Sequence, residues 1–264
     1  MDAGLRGARV LVTGASGGIG GAVAAELVAV GASPILHYCR SEGAARALQA
    51  RLVGRGAAAP PPLAGADLRD EGQVDALFAQ VTDSAPLDAI VVNAGIWIEA
   101  RVPLHHMSLA QWEETMAADL RTAFLTCRGY LRHLEAAPRE DAAIVFVAST
   151  AGLFGEAGHA DYASAKAAMA HGLTASLKNE IVRLAPRGRV NCVCPGWTRT
   201  PMAEGALGDS ELVARALSTV ALRKVAEPED VARAVVWFLS PTLSGHVSGA
   251  VLPVAGGMEG RRLH

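Results

Sequence analysis

The sequence lacks the features that mark several specialised classes of protein. Acidic and basic residues almost cancel, leaving a formal net charge of −2 over 264 residues. Nothing in this balance favours nucleic acid or an anionic membrane surface as a partner. The N-terminal region has no uninterrupted apolar stretch like that of a signal peptide or a membrane span, so we expect a cytoplasmic protein.

Cysteine is scarce, and its spacing does not suggest a metal site. We expect all four cysteines to be buried thiols, two of them on one face of a strand: Cys39, Cys127, Cys192 and Cys194. His105 and His106 are adjacent but have no third ligand, which favours a polar rim over a metal site. We therefore expect no metal.

What is present fits one globular domain over residues 1–264, because 51% of the residues are hydrophobic and 19% are charged. Short apolar runs alternate with helical patterns, such as the one from Ile19 to Val30 that Gly31 stops. This alternation predicts a doubly wound α/β fold with a parallel sheet. We expect seven strands within residues 8–14, 33–38, 62–66, 87–95, 142–149, 188–195 and 249–257. The expected strand order 3-2-1-4-5-6-7 puts the proline-rich third strand at an edge, where a missing N–H breaks no ladder.

A glycine-rich turn, Thr13-Gly14-Ala15-Ser16-Gly17-Gly18-Ile19-Gly20, joins the first strand to the first helix. Glycines let a backbone approach a pyrophosphate closely, and a helix N-terminus offers free N–H groups. The strand–turn–helix context is the one that a dinucleotide site requires. The alternative is a tight loop with no ligand.

Ser149, Tyr162 and Lys166 form a second pattern. Tyr162 and Lys166 are four residues apart, so a helix would carry them on one face, where the ammonium lowers the pKa of the phenol. Such a tyrosine can act as a general acid or base. An ordinary amphipathic helix with both side chains in solvent is the alternative for this pair alone.

Together these motifs resemble those of the short-chain dehydrogenase/reductase family, in its single-domain branch, and are similar to 3-oxoacyl-(acyl-carrier-protein) reductase-like members. Further matches are Asp67-Leu68, Asn93-Ala94-Gly95, Pro195-Gly196 with Thr200, and the C-terminal VSGAVLPVAGGM. The resemblance implies a Rossmann-type fold and hydride transfer between nicotinamide and a carbonyl or alcohol carbon. Tyr162 would exchange the proton, Lys166 would lower its pKa and hold the ribose, and Ser149 would bind the carbonyl oxygen.

The resemblance also implies a set of cofactor-binding residues, to which Tyr162 and Lys166 belong: Gly14, Ser16, Gly17, Ile19, Gly20, Arg40, Ser41, Asp67, Leu68, Asn93, Ala94, Gly95, Pro195, Gly196, Thr198 and Thr200. For Asp67 a helix N-cap, and for Asn93 a structural turn, are alternatives. Arg40 and Ser41 stand where NAD-specific sites carry a carboxylate, and they suit a 2′-phosphate. NADP(H) is therefore favoured over NAD(H), although Gly17 replaces a basic residue found in many NADP-dependent relatives.

Asp119 departs from the family pattern, which has a catalytic Asn at this position. Its backbone carbonyl would keep the Asn's role, while its carboxylate could pair with Lys166 and alter the pKa of Tyr162. Val92 replaces an Asn and Ala255 an Asp of the family motifs; we interpret both changes as structural.

The substrate is less well indicated. We expect five residues to line its pocket, Trp97, Phe154, His159, Trp197 and Met202, with a lid at about 197–220. Their aromatic character favours an apolar or aromatic ketone. Two hypotheses remain: an NADP(H)-dependent ketoreductase or alcohol dehydrogenase, or a non-catalytic dinucleotide-binding sensor or structural protein. The resemblance also implies a homo-oligomer, a tetramer or dimer.

Overall fold

The computed structural model describes residues 2–258. Seven strands form one parallel sheet in the order β3-β2-β1-β4-β5-β6-β7. This confirms the predicted fold class and strand order. The strands are β1 Arg9–Val12, β2 Ser33–Tyr38, β3 Leu63–Gly65, β4 Ala89–Val92, β5 Asp141–Val147, β6 Arg187–Pro195 and β7 Val251–Val254.

The α-helices are α1 Gly18–Ala29, α2 Glu42–Gly54, α3 Glu71–Thr82, α4 Leu109–Thr115, α5 Thr122–Ala136, α6 Ala151–Phe154, α7 Ala160–Ala167, α8 Thr174–Glu180, α9 Glu204–Gly208, α10 Ser210–Leu217 and α11 Pro228–Leu239. Short 3₁₀ turns cover Leu104–His106, Ile181–Arg183 and Pro201–Ala203. Two π-helical turns, Met116–Arg121 and Ala168–Leu173, interrupt the longer helical stretches. No helix among residues 2–258 is both long and apolar enough to cross a membrane.

The sheet has a hydrophobic core on each face, because successive strand residues point to opposite sides. Leu11 joins the core that α3 and α5 cover, whereas Val10 and Val12 join the core that α1 and α11 cover. The central strands are therefore apolar throughout rather than alternating with polar residues. Because all the strand pairs are parallel, the carboxyl ends of the strands lie at one edge of the sheet.

Local sequence signals explain several of the boundaries. Gly31 has φ +80° directly after α1, so the predicted glycine stop is confirmed. β3 lies at the sheet edge, and the carbonyl of Pro62 still accepts a hydrogen bond from the N–H of Leu36 at 2.8 Å. The prolines thus remove donors only where no neighbouring strand needs them.

The cysteine prediction is correct for three of the four residues. Cys192 and Cys194 are buried on one face of β6 with their sulfurs 3.8 Å apart, and Cys127 is buried as well. The prediction was wrong for Cys39, which is exposed. Cys39 follows the last residue of β2 and has already left the covered part of the sheet.

Candidate active site

Ser149, Tyr162 and Lys166 meet at the carboxyl end of β5. Ser149 lies two residues beyond the strand, and its hydroxyl accepts a hydrogen bond from the N–H of Ala151 at 3.1 Å. Lys166 Nζ lies 5.4 Å from the centre of the Tyr162 ring, one helical turn along α7. The sequence spacing therefore places a hydroxyl, a phenol and an ammonium around one point.

A buried carboxylate fixes the rotation of α7. Asp161 is 2% exposed, and its Oδ2 accepts hydrogen bonds from Thr115 Oγ1 at 2.8 Å and Gln111 Nε2 at 3.2 Å. Both donors lie on α4. Because Asp161 precedes Tyr162, this anchor turns the phenol and Lys166 toward the sheet edge.

Asp119 pairs with Lys166 in the interior. Asp119 Oδ2 lies 3.3 Å from Lys166 Nζ, and the two side chains are 0% and 4% exposed. Asp119 Oδ1 accepts the backbone N–H of Ile96 at 2.7 Å. Among the described residues no donor meets hydrogen-bond geometry at Oδ2. The pair is therefore held by charge attraction, with one oxygen anchored to the backbone.

This ion pair opposes the effect of Lys166 on Tyr162. Burial raises the pKa of Tyr162 most, Lys166 lowers it, Asp119 raises it, and a hydrogen bond from Ser149 lowers it, with a raised pKa as the net result. Burial alone would lower the pKa of Lys166, but Asp119 and Tyr162 raise it. Burial raises the pKa of Asp119 despite the nearby ammonium. The phenol is thus protonated at neutral pH.

Both partners of the ion pair sit beside π-helical turns. Asp119 lies within the turn Met116–Arg121, and the turn Ala168–Leu173 begins two residues after Lys166. A threonine ends each turn: Thr122 Oγ1 donates to the carbonyl of Ala118, and Thr174 Oγ1 donates to that of Met169. Such turns add a residue to a helix and re-aim the side chains beside it.

Gly95 leaves the space that the ion pair needs. A Cβ at this position would lie 2.8 Å from Asp119 Oδ1 and 3.0 Å from Lys166 Nζ. Neither buried group is free to withdraw, so the absence of a side chain at Gly95 is part of the site.

The glycine turn forms one wall of a cavity of about 240 Å³ that reaches the catalytic residues, here called the glycine-turn cavity. Its lining includes Gly14, Ser16, Gly17, Gly18, Ile19, Asn93, Ala94, Gly95, Tyr162, Lys166 and Thr200. Helix α1 starts here without a side-chain cap or an acidic first turn, so its N–H groups and positive dipole end face the cavity. The turn is compact, because a Cβ at Gly20 would lie 2.4 Å from the carbonyl oxygen of Gly14.

Hydrogen bonds from neighbouring strands hold this turn. Gly14, with φ +64°, donates its N–H to His37 Nδ1 at 3.1 Å, and His37 Nε2 donates to the carbonyl of Ala66 at 3.0 Å. Asn93 Nδ2 donates to the carbonyl of Thr13 at 2.9 Å. The Asn93 side chain therefore connects the end of β1 to the end of β4, as the alternative of a structural role for Asn93 expects. Asn93 also lines the glycine-turn cavity.

A further cavity of about 200 Å³ lies at the end of β2, here called the β2-edge cavity; its lining includes Arg40, Ser41, Asp67, Leu68 and Arg69. Asp67 Oδ2 pairs with Arg69 Nη2 at 2.7 Å, and this hydrogen bond holds the pKa of Asp67 below its usual range. Asp70, rather than Asp67, caps α3 by accepting the N–H of Gln73 at 2.9 Å. Arg40 is exposed and forms no ion pair within the described part of the chain.

A cavity of about 210 Å³ lies on the other side of Tyr162, here called the aromatic cavity. It is lined by Trp97, Phe154, Trp197 and Met202, together with Ser149, Tyr162, Pro195, Gly196, Thr198 and Thr200. The segment 197–220, for which a lid was predicted, contributes lining residues such as Met202 and contains the turn Pro201–Ala203 with helices α9 and α10.

His159 is not part of this lining, contrary to the expectation from the sequence. It is 2% exposed, its ring lies 5.1 Å from that of Trp97, and it hydrogen-bonds the backbone of Ile98. The imidazole thus packs against the Trp97 ring, and Trp97 is the member of this pair that lines the cavity. Burial lowers the pKa of His159.

Sequence reasoning missed Glu156 and His37. Glu156 lines the aromatic cavity and belongs to the loop that was already assigned to the pocket. A charged residue in that loop could therefore have been predicted from the sequence to line the pocket. No sequence signal pointed to His37, because its role depends on strand pairing. Among residues 2–258 no group of three or more His, Cys, Asp or Glu residues could hold a metal ion.

Comparison with known proteins agrees with this geometry. The family model described as enoyl-(acyl carrier protein) reductase matches residues 14–259. The chain is 37% identical over 252 residues to cis-4-hydroxycyclohexanecarboxylate dehydrogenase of Sinomonas cyclohexanicum, covering 94% of each chain. It is 33% identical over 260 residues to a 3-oxoacyl-(acyl-carrier-protein) reductase of Chlamydia pneumoniae, covering 98% of this chain and 99% of the relative.

A solved structure shows the same likeness. The crystal structure of a dehydrogenase/reductase from Sinorhizobium meliloti 1021 superposes with a TM-score of 0.86 at 30% identity, covering 97% of this chain and 96% of the other. With the family match over most of the sequence, the chain belongs to the short-chain dehydrogenase/reductase family of oxidoreductases.

Proposed function

We propose that this chain catalyses the NADP(H)-dependent interconversion of a ketone and a secondary alcohol, with Tyr162 as general acid and base. The observation that carries the proposal is that Tyr162 lines both the glycine-turn cavity and the aromatic cavity, beside Ser149 and Lys166. A phenol at this boundary can exchange a proton with a substrate oxygen on one side while the cofactor lies on the other.

The residues of the glycine-turn and β2-edge cavities fit a dinucleotide. The uncapped N-terminus of α1 offers N–H groups to the phosphates, and a Cβ at Gly18 would lie 2.8 Å from Thr200 Cγ2, so backbone can approach there where side chains cannot. Lys166 would hold the nicotinamide ribose. When bound, the nicotinamide supplies or accepts the hydride.

The chain's own groups move the proton. In reduction, Tyr162 donates its phenolic proton to the substrate oxygen, and the Ser149 hydroxyl orients that oxygen. The Lys166 ammonium stabilises the phenolate that remains. Because the pKa of Tyr162 is raised, the phenol carries at neutral pH the proton that ketone reduction requires.

Arg40 and Ser41 support NADP(H) over NAD(H). Both are exposed at the β2-edge cavity, where a hydroxyl and a cation that forms no ion pair among residues 2–258 suit a 2′-phosphate. The nearby acid, Asp67, is engaged by Arg69. Its charge is thus partly neutralised and repels a phosphate less.

The aromatic cavity supports a cyclic ketone as substrate. Trp97, Phe154 and Trp197 offer flat apolar surface beside Tyr162. The relative from Sinomonas cyclohexanicum is named for a cyclohexane ring that carries a hydroxyl and a carboxylate. Both observations favour an alicyclic or aromatic ketone over a flexible chain.

We further propose that the chain forms a homo-oligomer through α5 and the region of α8. An apolar groove runs between these elements, lined in part by Leu131, Leu173 and Leu177. Phe124 and Val182 are 47% and 44% exposed. Burying such a face against a second copy would stabilise the assembly, and sedimentation of the purified chain tests it.

The experiment for the catalytic proposal follows the hydride. The protein is incubated with NADPH deuterated at C4, in each of the two configurations, and with a panel of alicyclic, aromatic and β-keto thioester ketones. We expect a secondary alcohol that carries deuterium on the former carbonyl carbon from one configuration only. Binding of NADPH with no deuterated alcohol from any ketone would instead support the non-catalytic alternative.

A further inference from the structure

The lining of the aromatic cavity is unusual in its charge. Apart from Tyr162, Glu156 is the only side chain that ionises among the lining residues within 2–258, and none of these lining residues is a lysine, arginine or histidine. The rest of the wall is aromatic, aliphatic or hydroxylic. In the described part of the lining, a substrate therefore meets one carboxylate and no basic side chain.

The backbone sets the position of Glu156. Gly155 and Gly158, with φ +76° and +89°, turn the chain on either side of it, a conformation that glycine adopts readily. Gly158 also packs closely on Arg101, because a Cβ there would lie 3.1 Å from the Cβ of Arg101. The carboxylate is thus presented by a constrained loop between α6 and α7.

Burial raises the pKa of Glu156, while the positive charge of Arg101 attracts the carboxylate and lowers that pKa. No lysine or arginine among the described residues lies within ion-pair distance of this carboxylate. His159 Nε2 lies 3.8 Å from Glu156 Oε1, but burial lowers the pKa of that imidazole, so it is neutral at neutral pH. Arg101 donates to the carbonyl of Ala157 at 3.2 Å and forms no ion pair with Glu156 among the described residues. The Glu156 side chain is 30% exposed, which leaves it accessible to a ligand.

We propose that Glu156 determines substrate specificity: it selects cyclic ketones that carry a hydroxyl or ammonium donor remote from the carbonyl, and it rejects those that carry a carboxylate. The inference rests on the proposed ketone reduction at Tyr162. A donor on the substrate would hydrogen-bond the carboxylate, whereas a second anion in the same partly buried cavity would be repelled. Phe154 and Trp197 would cover the ring between the two polar ends.

The test uses cyclohexanones that differ only at C4, carrying an ammonium, a hydroxyl, a carboxamide or a carboxylate. The ratio of kcat/KM for the ammonium ketone to that for the carboxylate ketone is measured with NADPH at neutral pH. We expect a ratio of at least about tenfold for the wild type, falling toward unity in Glu156→Gln. Glu113→Gln, at an exposed glutamate on α4, serves as the matched control and should keep the wild-type ratio.

A binding measurement separates this proposal from the proposed catalysis. Calorimetry with the corresponding C4-substituted cyclohexanols and NADP⁺ gives the same charge ratio without turnover. Charge-dependent binding that Glu156→Gln abolishes, in a protein that reduces no ketone, would sustain the inference about Glu156 while refuting ketone reduction. A ratio that Glu156→Gln leaves unchanged within about twofold, in turnover or in binding, would overturn the assignment of Glu156.

Discussion

Replacing Asp119 by Asn tests the electrostatics at the centre of the site. The variant keeps the shape of the side chain and removes its charge. Because the anchored oxygen must still accept the N–H of Ile96, the new amide N–H₂ would face the ammonium of Lys166. The amide and the ammonium are both hydrogen-bond donors, so the attraction between Asp119 and Lys166 would be lost.

The structure bounds the magnitude of this change. At 3.3 Å the attraction between the two charges is about 5 kcal/mol with an effective dielectric constant of 20. Desolvation of both groups offsets part of this energy, and removing one partner of a buried pair typically costs about 3 kcal/mol of stability. For a chain of this size such a loss lowers Tm by roughly 6–10 °C.

The effect on Tyr162 has a definite sign. Asp119 raises the pKa of the phenol, so removing its charge lowers that pKa if Lys166 stays protonated. Alcohol oxidation needs the phenolate, so the alkaline rise of kcat/KM should move to lower pH. We expect ketone reduction at neutral pH to stay within about tenfold of the wild type.

The assay is the pH profile of kcat/KM for alcohol oxidation, from neutral to alkaline pH, together with Tm. Asp161→Asn is the matched control, because Asp161 is a buried carboxylate on the same helix as Tyr162 that binds Thr115 and Gln111 instead of Lys166. Asp161→Asn should also lower Tm, but it should move the pH profile much less than Asp119→Asn does. A profile for Asp119→Asn that stays in place, or moves to higher pH, would refute the reasoning.

Three further predictions concern the cofactor side of the site. Gly95→Ala should reduce both Tm and turnover because its methyl group would displace the buried ion pair, whereas Gly43→Ala, whose Cβ meets nothing, should leave turnover unchanged. Burial lowers the pKa of His37 to about 4. Between pH 6.5 and about 4, His37 is therefore protonated in the unfolded chain but neutral in the folded chain. The free energy of unfolding should therefore fall by about 3 kcal/mol as the pH falls through this window, and denaturant titrations of His37→Gln should lack this component. Arg40→Ala should reduce the preference for NADPH over NADH by about tenfold in kcat/KM, and an unchanged preference would place 2′-phosphate recognition elsewhere.

The fold could be predicted from the sequence because its signals are local and agree with one another. Gly31 ends α1 where the apolar spacing stops, and Pro62 lies at a sheet edge, where its missing N–H is harmless. Cys39 shows the limit of such reasoning. Its residue type predicted burial, but its position beyond β2 decided its exposure.

The site was only partly predictable, because its details depend on packing between distant segments. The pairing of Asp119 with Lys166 was foreseen as one alternative, but the π-helical turns beside both residues have no periodicity that a sequence pattern reveals. His159 was expected in the pocket, but it is buried against the ring of Trp97. Such a contact between residues distant in the sequence forms only in the folded chain, so local sequence patterns do not predict it.

The most direct test of the central claim is the rate of NADPH oxidation by Tyr162→Phe with a ketone that the wild type reduces. The variant retains the ring beside Lys166 and lacks only the hydroxyl that donates the proton. The account predicts a loss of at least about a hundredfold in kcat, with the Kd for NADPH within about twofold of the wild type. Equal rates for the two proteins would contradict the assignment of Tyr162 as the general acid.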